Sequence, residues 1–267
     1  MRRKGGERVE EAEVEEEGEA IVLRDTSSPE ADHVGARSRK RISKTQAPSS
    51  HTFRSSRRSK CKLDTKLFES HLENLWCTFS QAKKIIFTCM DSLWFAMYAN
   101  VSSRPKVLGW IKNKRIFSKK YVLVPIVRWD HWSLLIFCHF GDALQSENAT
   151  PCMLLLDSLK MADPKRLEPE IRRLVLDIYK SEGRTENNQL VSRIPLLVPK
   201  VPQQRNDEEC GNYVLYFIYL FVQDAPENFS TKEYPYFMNE NWFTPESVDD
   251  FCKKLQSSSR SDVENCP

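Results

Sequence analysis

The residues of this chain best placed for chemistry are one cysteine and the polar loop that delivers it. Pro202-Gln203-Gln204-Arg205-Asn206-Asp207-Glu208-Glu209-Cys210-Gly211 runs straight into Asn212-Tyr213-Val214-Leu215-Tyr216-Phe217-Ile218-Tyr219-Leu220-Phe221-Val222, an almost wholly apolar stretch of helical length. A helix N-terminus presents unpaired backbone N–H groups and the positive end of the dipole, which favour thiolate over thiol. A helix that is apolar all round is also expected to be buried.

A nucleophilic cysteine needs a histidine within hydrogen-bond reach and a third group to orient that ring. The chain has 5 histidines. His33 and His51 fall in a charged N-terminal stretch and His71 in a helical pattern, which leaves His131 and His139, at the two ends of one predicted strand. Asp157 closes the apolar run Leu154-Leu155-Leu156, where a lone carboxylate needs a partner. In an antiparallel pair the end of the 152–157 strand lies beside the start of the 131–138 strand, so Asp157 meets His131 and not His139. Gln204, in the loop before Cys210, can offer a side-chain amide to a developing oxyanion, beside the backbone N–H of Cys210. Each of these residues alone, like Trp129 and Trp132, is more often an ordinary structural feature. Their ordered combination points to covalent catalysis.

The elements that must position these groups follow from periodicity. Leu63–Trp76 and Ile85–Tyr98 carry apolar residues at mixed three and four spacing, predicting two helices joined by a linker around 80–84. Val107–Ile111 is a shorter helical or loop segment. Tyr121–Val127 reads as a strand in which Pro125 implies an edge or a bulge. Trp132–Cys138 and Cys152–Asp157 are predicted as a central antiparallel pair. Pro164–Glu182 has an amphipathic helical pattern, Ser192–Val198 reads as a further strand, and the buried helix headed by Cys210 follows. This order describes an α+β domain rather than alternating parallel units.

Composition narrows the class. The 267 residues carry 40 Lys/Arg and 37 Asp/Glu, a net charge of +3. Residues 1–30 hold 5 basic and 10 acidic side chains, and residues 31–60 hold 9 and 1. Such segregated blocks are expected to form a disordered charged tail over 1–60, ahead of a catalytic domain over 61–256 and a disordered C-terminal tail over 257–267. Arg37-Ser38-Arg39-Lys40-Arg41 and Arg54-Ser55-Ser56-Arg57-Arg58 can serve in nuclear import, so a nuclear or nuclear and cytoplasmic location is expected. The globular part has no basic excess, which disfavours a dedicated nucleic-acid partner. No run approaches 18 apolar residues, and the N-terminus lacks a signal-peptide core, so neither membrane insertion nor secretion by that route is expected. The 8 cysteines contain no Cys-x-x-Cys pair, which fits a reduced intracellular protein without a zinc or other cofactor site.

The sequence resembles the ubiquitin-like-protein-specific cysteine proteases of the Ulp1 and sentrin-protease type over roughly residues 85–225. The resemblance rests on 116–126, on Trp129-Asp130-His131-Trp132-Ser133-Leu134, on Leu154-Leu155-Leu156-Asp157-Ser158-Leu159, and on Pro202-Gln203-Gln204 with Cys210-Gly211. It implies a papain-like cysteine protease fold with a central, mostly antiparallel sheet, acting as a monomer. His131, Asp157 and Cys210 would be the triad, Gln204 the oxyanion donor, and Trp132 the roof of a slot through which only a Gly-Gly tail could thread. Trp129 and Gly211 would border the substrate, as would Asp91 and Trp94, the remnants of a Trp-Leu-Asn-Asp motif replaced here by Thr88-Cys89-Met90-Asp91. Where the family usually has Gly-Ser-Asp before the cysteine, this chain has Asp207-Glu208-Glu209, carboxylates that would oppose a thiolate if turned inward. The implied reaction is cleavage after the Gly-Gly terminus of SUMO or a related modifier. A protease for another modifier such as NEDD8, an acyltransferase on the same triad, and a catalytically weak modifier-binding protein are the competing readings.

Overall fold

A computed structural model describes residues 62–144, 151–159 and 163–258, all within one compact unit, Ser56–Pro267. The expected tail over 1–60 lies outside the described residues, and the expected C-terminal tail lies outside them from 259 onward. Five strands form one sheet in the order β1-β2-β3-β4-β5: Phe87–Cys89, Tyr121–Arg128, His131–Cys138, Cys152–Leu156 and Leu196–Leu197. The three central strands are antiparallel, whereas β1 pairs with β2, and β5 with β4, in parallel.

The β3 strand shows how the sheet divides the core. Trp132, Leu134, Ile136 and Cys138 pack on one face with α1 (Thr65–Thr78), α7 (Cys210–Asp224) and α8 (Pro245–Ser258). Leu135 and Phe137 point the other way, toward α3 (Leu93–Ala99), α4 (Arg104–Asn113) and α5 (Glu168–Ser181). This is the period-two alternation of a strand covered on both sides.

Two expectations are corrected. Ile85–Tyr98 is not one helix: α2 (Gln81–Ile86) occupies the expected linker, Phe87–Cys89 is drawn into the sheet against Tyr121–Leu123, and α3 starts only at Leu93. Ser80 caps α2 by accepting the Lys83 N–H at 3.3 Å, and Asp91 forms a local turn by accepting the Leu93 N–H at 2.8 Å, so a cap, a side-chain turn and a strand pairing override the helical spacing. The strand expected over Ser192–Val198 shrinks to Leu196–Leu197, because α6 (Asn188–Ser192), capped by Asn187, claims its start. The edge expected at Pro125 is local. Strand β1 ends opposite Leu123, so β2 has lost its outer neighbour where the proline lacks an N–H.

Strands β2 and β3 are joined by a two-residue turn in which Trp129 and Asp130 have φ of 50° and 60°. Positive φ at both central positions matches the twist of a hairpin but suits Asn-Gly, not Trp-Asp. A left-handed conformation costs an ordinary L-residue roughly 1–2 kcal/mol. The next residue is His131.

Candidate active site

Strand register brings the predicted pair together. Leu134 lies opposite Leu156, so Asp157 emerges from the end of β4 level with Ser133, two residues from the start of β3 at His131. The His131 Nε2 sits 2.8 and 3.0 Å from the two Asp157 oxygens. His139, at the far end of β3, instead faces Asp142 at 3.1 Å. The second side-chain bond of His131 is to Cys210, which leaves Nδ1 as the ring nitrogen turned to the sulfur. Burial alone would lower the affinity of this ring for its proton, but the bonds and charges of Asp157 and Cys210 outweigh it and push His131 up to about 9.

Each member is held from behind. Asp157 Oδ1 accepts the Leu159 N–H at 2.8 Å, and its backbone carbonyl accepts from Gln203 Nε2 at 3.3 Å. Gln203 is tied in turn to α7, because the Tyr213 hydroxyl donates to its carbonyl at 3.1 Å. The neighbouring Gln204 N–H donates to the Ser158 carbonyl at 2.9 Å, and Ser158 Oγ donates to Gln204 Oε1 at 2.6 Å. With its oxygen occupied, the Gln204 amide presents its nitrogen. One Nε2 hydrogen goes to the Asn206 carbonyl, and an amide carries two. Ser158 was not among the expected site residues. The signal for it was its place directly after Asp157, where a hydroxyl can reach the loop that Asp157 itself contacts.

Cys210 is the first residue of α7 and is fully buried. Of the three carboxylates before it, Asp207 and Glu208 are exposed. Glu209 is buried, but Arg205 Nη2 reaches it at 2.7 Å and joins it to Asp249 at 2.8 Å. The acidic run is therefore solvated or ion-paired.

Trp132 is 2% exposed, and its ring stacks on Phe68 of α1, centroids 4.0 Å apart. A methyl group on Gly211 would meet Leu63 at 3.2 Å and Trp132 at 3.5 Å, so this glycine lets the segment just before α1, β3 and α7 converge beside the sulfur. Asp91 and Trp94 lie elsewhere. They line a groove of about 510 Å³ with Leu93, Met97, Trp110 and Lys114, none of which borders the clefts at His131. Among the described residues no group of His, Cys, Asp and Glu could hold a metal ion.

A sequence model of the Ulp1 protease family, C-terminal catalytic domain, matches residues 98–260. The chain belongs to this family. That match begins later and ends later than the resemblance read from motifs, taking in α8. Probable ubiquitin-like-specific protease 2A of Arabidopsis thaliana is 33% identical over 147 residues, covering 52% of this chain and 19% of that protein. Ubiquitin-like-specific protease 1D of the same plant is 32% identical over 162 residues, covering 56% and 27%. The chain thus spans less than a third of the length of these curated relatives. A crystal structure described as a de-sumoylating protease superposes with a TM-score of 0.52 at 24% identity, over 73% of this chain and 75% of that one, which shows that the fold is shared. The domain is a cysteine protease domain of the Ulp1 family.

Proposed function

We propose that this chain is a thiol isopeptidase that cleaves after the C-terminal Gly-Gly of SUMO or a related ubiquitin-like modifier. The observation that carries the reading is the bridging position of His131, between Asp157 and the cysteine at the head of α7, in a domain of this family. Cys210 attacks the terminal glycine carbonyl as a thiolate, favoured by the protonated ring beside it. Gln204 Nε2 and the Cys210 N–H stabilise the tetrahedral oxyanion. His131 gives its proton to the departing lysine amine, leaving a thioester on Cys210. Water then attacks the thioester, losing a proton to His131, and the modifier leaves with a free carboxylate. Trp132 narrows the approach so that only residues without Cβ pass.

The test is labelling of the purified chain with electrophile probes built on the C-termini of SUMO, NEDD8 and ubiquitin, with Cys210→Ser as control. Cys210-dependent labelling by SUMO supports the reading. Labelling by another modifier alone reassigns the substrate, and binding without labelling leaves only a modifier-binding role. Transfer to an added amine in preference to water would mark an acyltransferase. We also propose nuclear residence directed by the basic residues of 31–60. Deleting them and imaging the protein tests this, and unchanged nuclear retention would refute it.

A further inference from the structure

Beside His131 the β2–β3 turn carries a device that the triad does not use. Trp129 is 52% exposed although it occupies a backbone conformation that disfavours it, so neither burial nor turn preference accounts for its presence. Strain of this kind is retained at ligand clamps. Two guanidinium groups flank its ring, Arg166 at 4.1 Å and Arg128 at 5.1 Å from the centroid. Arg128 is committed to Glu170 at 2.8 Å. Arg166 has no carboxylate partner among the described residues, so the indole positions it while its donors stay open. Trp129, Arg166, His131 and Leu159 line a cleft of about 280 Å³ together with Lys62, Asp130 and Asp207. Lys62 is spent on Asp130.

The placement of this cleft says which part of a substrate it meets. Trp132 packs with α7 and stacks on Phe68, whereas Trp129 and Arg166 share clefts with His131 that Trp132 does not line. In the reaction proposed above, on which this inference rests, His131 protonates the departing lysine amine, so the target polypeptide must lie against His131. The cleft of Trp129 and Arg166 borders His131 and not Trp132, so it falls to the target and not to the Gly-Gly tail.

We propose that Trp129 and Arg166 form a subsite for the target protein, selecting substrates that carry an Asp or Glu close to the modified lysine. A guanidinium stays charged throughout the accessible pH range, and its planar fork matches a carboxylate with two parallel hydrogen bonds. Asp207 lines the same cleft and repels an acid, so the guanidinium of Arg166 is the group left to receive one.

The experiment compares two substrate types, built on whichever modifier labels Cys210. One is its C-terminal aminocoumarin amide, which has no target residues. The other is a peptide joined through lysine, with Glu or Gln two positions to either side. The wild-type chain should cleave the best Glu conjugate about tenfold faster, in kcat/KM, than its Gln counterpart, the scale of one charge-assisted bond. Arg166→Ala should lower cleavage of the Glu conjugate about tenfold more than that of the aminocoumarin amide, and Arg166→Lys should restore part of the preference. Trp129→Asn, which suits the turn and so keeps the hairpin folded, should also lose the preference. A wild-type enzyme indifferent to Glu, or a preference that survives Arg166→Ala, overturns the subsite. Failure to hydrolyse the aminocoumarin amide of any modifier sinks the proteolytic reading, and this inference with it.

Discussion

The Arg205 guanidinium lies 2.7 Å from the Glu209 carboxylate, which is buried one residue before Cys210. That carboxylate therefore has its counter-charge within its own loop, and the same guanidinium ties the loop to Asp249 of α8. Removing the arginine side chain would take this counter-charge from a buried acid next to Cys210, while the Arg205 backbone N–H, 3.2 Å from the carboxylate, would stay in place. Arg205→Ala should lower stability by about 1–3 kcal/mol, the scale of losing charge-assisted hydrogen bonds to a buried carboxylate, and slow labelling of Cys210 by the modifier probe. Arg205→Ala with Glu209→Gln should recover most of both. Urea unfolding and probe kinetics on the three variants would show this, and a double variant no better than the single would refute it.

Asp157 is the group that raises His131 most, against the effect of burial. Asp157→Asn should bring the imidazole titration, followed by NMR, well below its native value of about 9. It should also cost about 10²–10⁴-fold in kcat, because the ring loses both its orientation and its proton. A group whose folded pKa is raised contributes stability that is fully present below its unfolded value, near 6.5, and is lost as pH rises through about 9. The stability deficit of Asp157→Asn should therefore be largest at pH 6 and shrink by pH 10. A deficit independent of pH would show that Asp157 acts through its bond to Leu159 alone.

Gln204 and Ser158 make a second separable pair. Gln204→Ala should lower kcat about 10²–10³-fold with little change in KM, as expected for a donor engaged only in the transition state. Ser158→Ala removes the hydroxyl that occupies Gln204 Oε1 at 2.6 Å and should cost about tenfold in kcat by letting the amide turn. In the Gln204→Ala background the serine change should then have almost no further effect. Additive losses in the double variant would count against a positioning role for Ser158.

What could be read from the sequence follows the range of the forces involved. Asp157 was assignable to His131 because strand direction and length are local signals, and an apolar run that ends in a carboxylate fixes which histidine it can meet. Cys210 was assignable because an apolar helix begins there. The Arg205–Glu209–Asp249 pairing was not legible, since one partner is 44 residues away along the chain from Arg205, and the three consecutive carboxylates looked like an unrelieved field. The split of 85–98 was missed because Phe87–Cys89 becomes a strand only through Tyr121–Leu123. Residue type alone did not reveal that Arg166 would find Trp129, a contact made by an exposed side chain across two elements.

His139, just past the end of β3 remote from His131, is bound into the fold at both ring nitrogens. Its Nε2 accepts the Phe229 N–H at 3.0 Å, while Nδ1 faces Asp142 at 3.1 Å. The ring can accept at Nε2 only when that nitrogen carries no proton. Burial lowers its pKa, Lys120 adds to the lowering, and Asp142 opposes it; the ring of Tyr121 packs edge-on beside it. A histidine whose folded pKa is depressed contributes stability that is present above its unfolded value, near 6.5, and is lost as pH falls below it. Thermal unfolding between pH 8 and pH 5 should therefore show Tm falling on the acid side, where the charged ring would break the tie from β3 to Phe229. His139→Gln can keep an uncharged acceptor for that N–H and should flatten the acid limb. An acid limb of the same slope in His139→Gln would assign the loss to other groups.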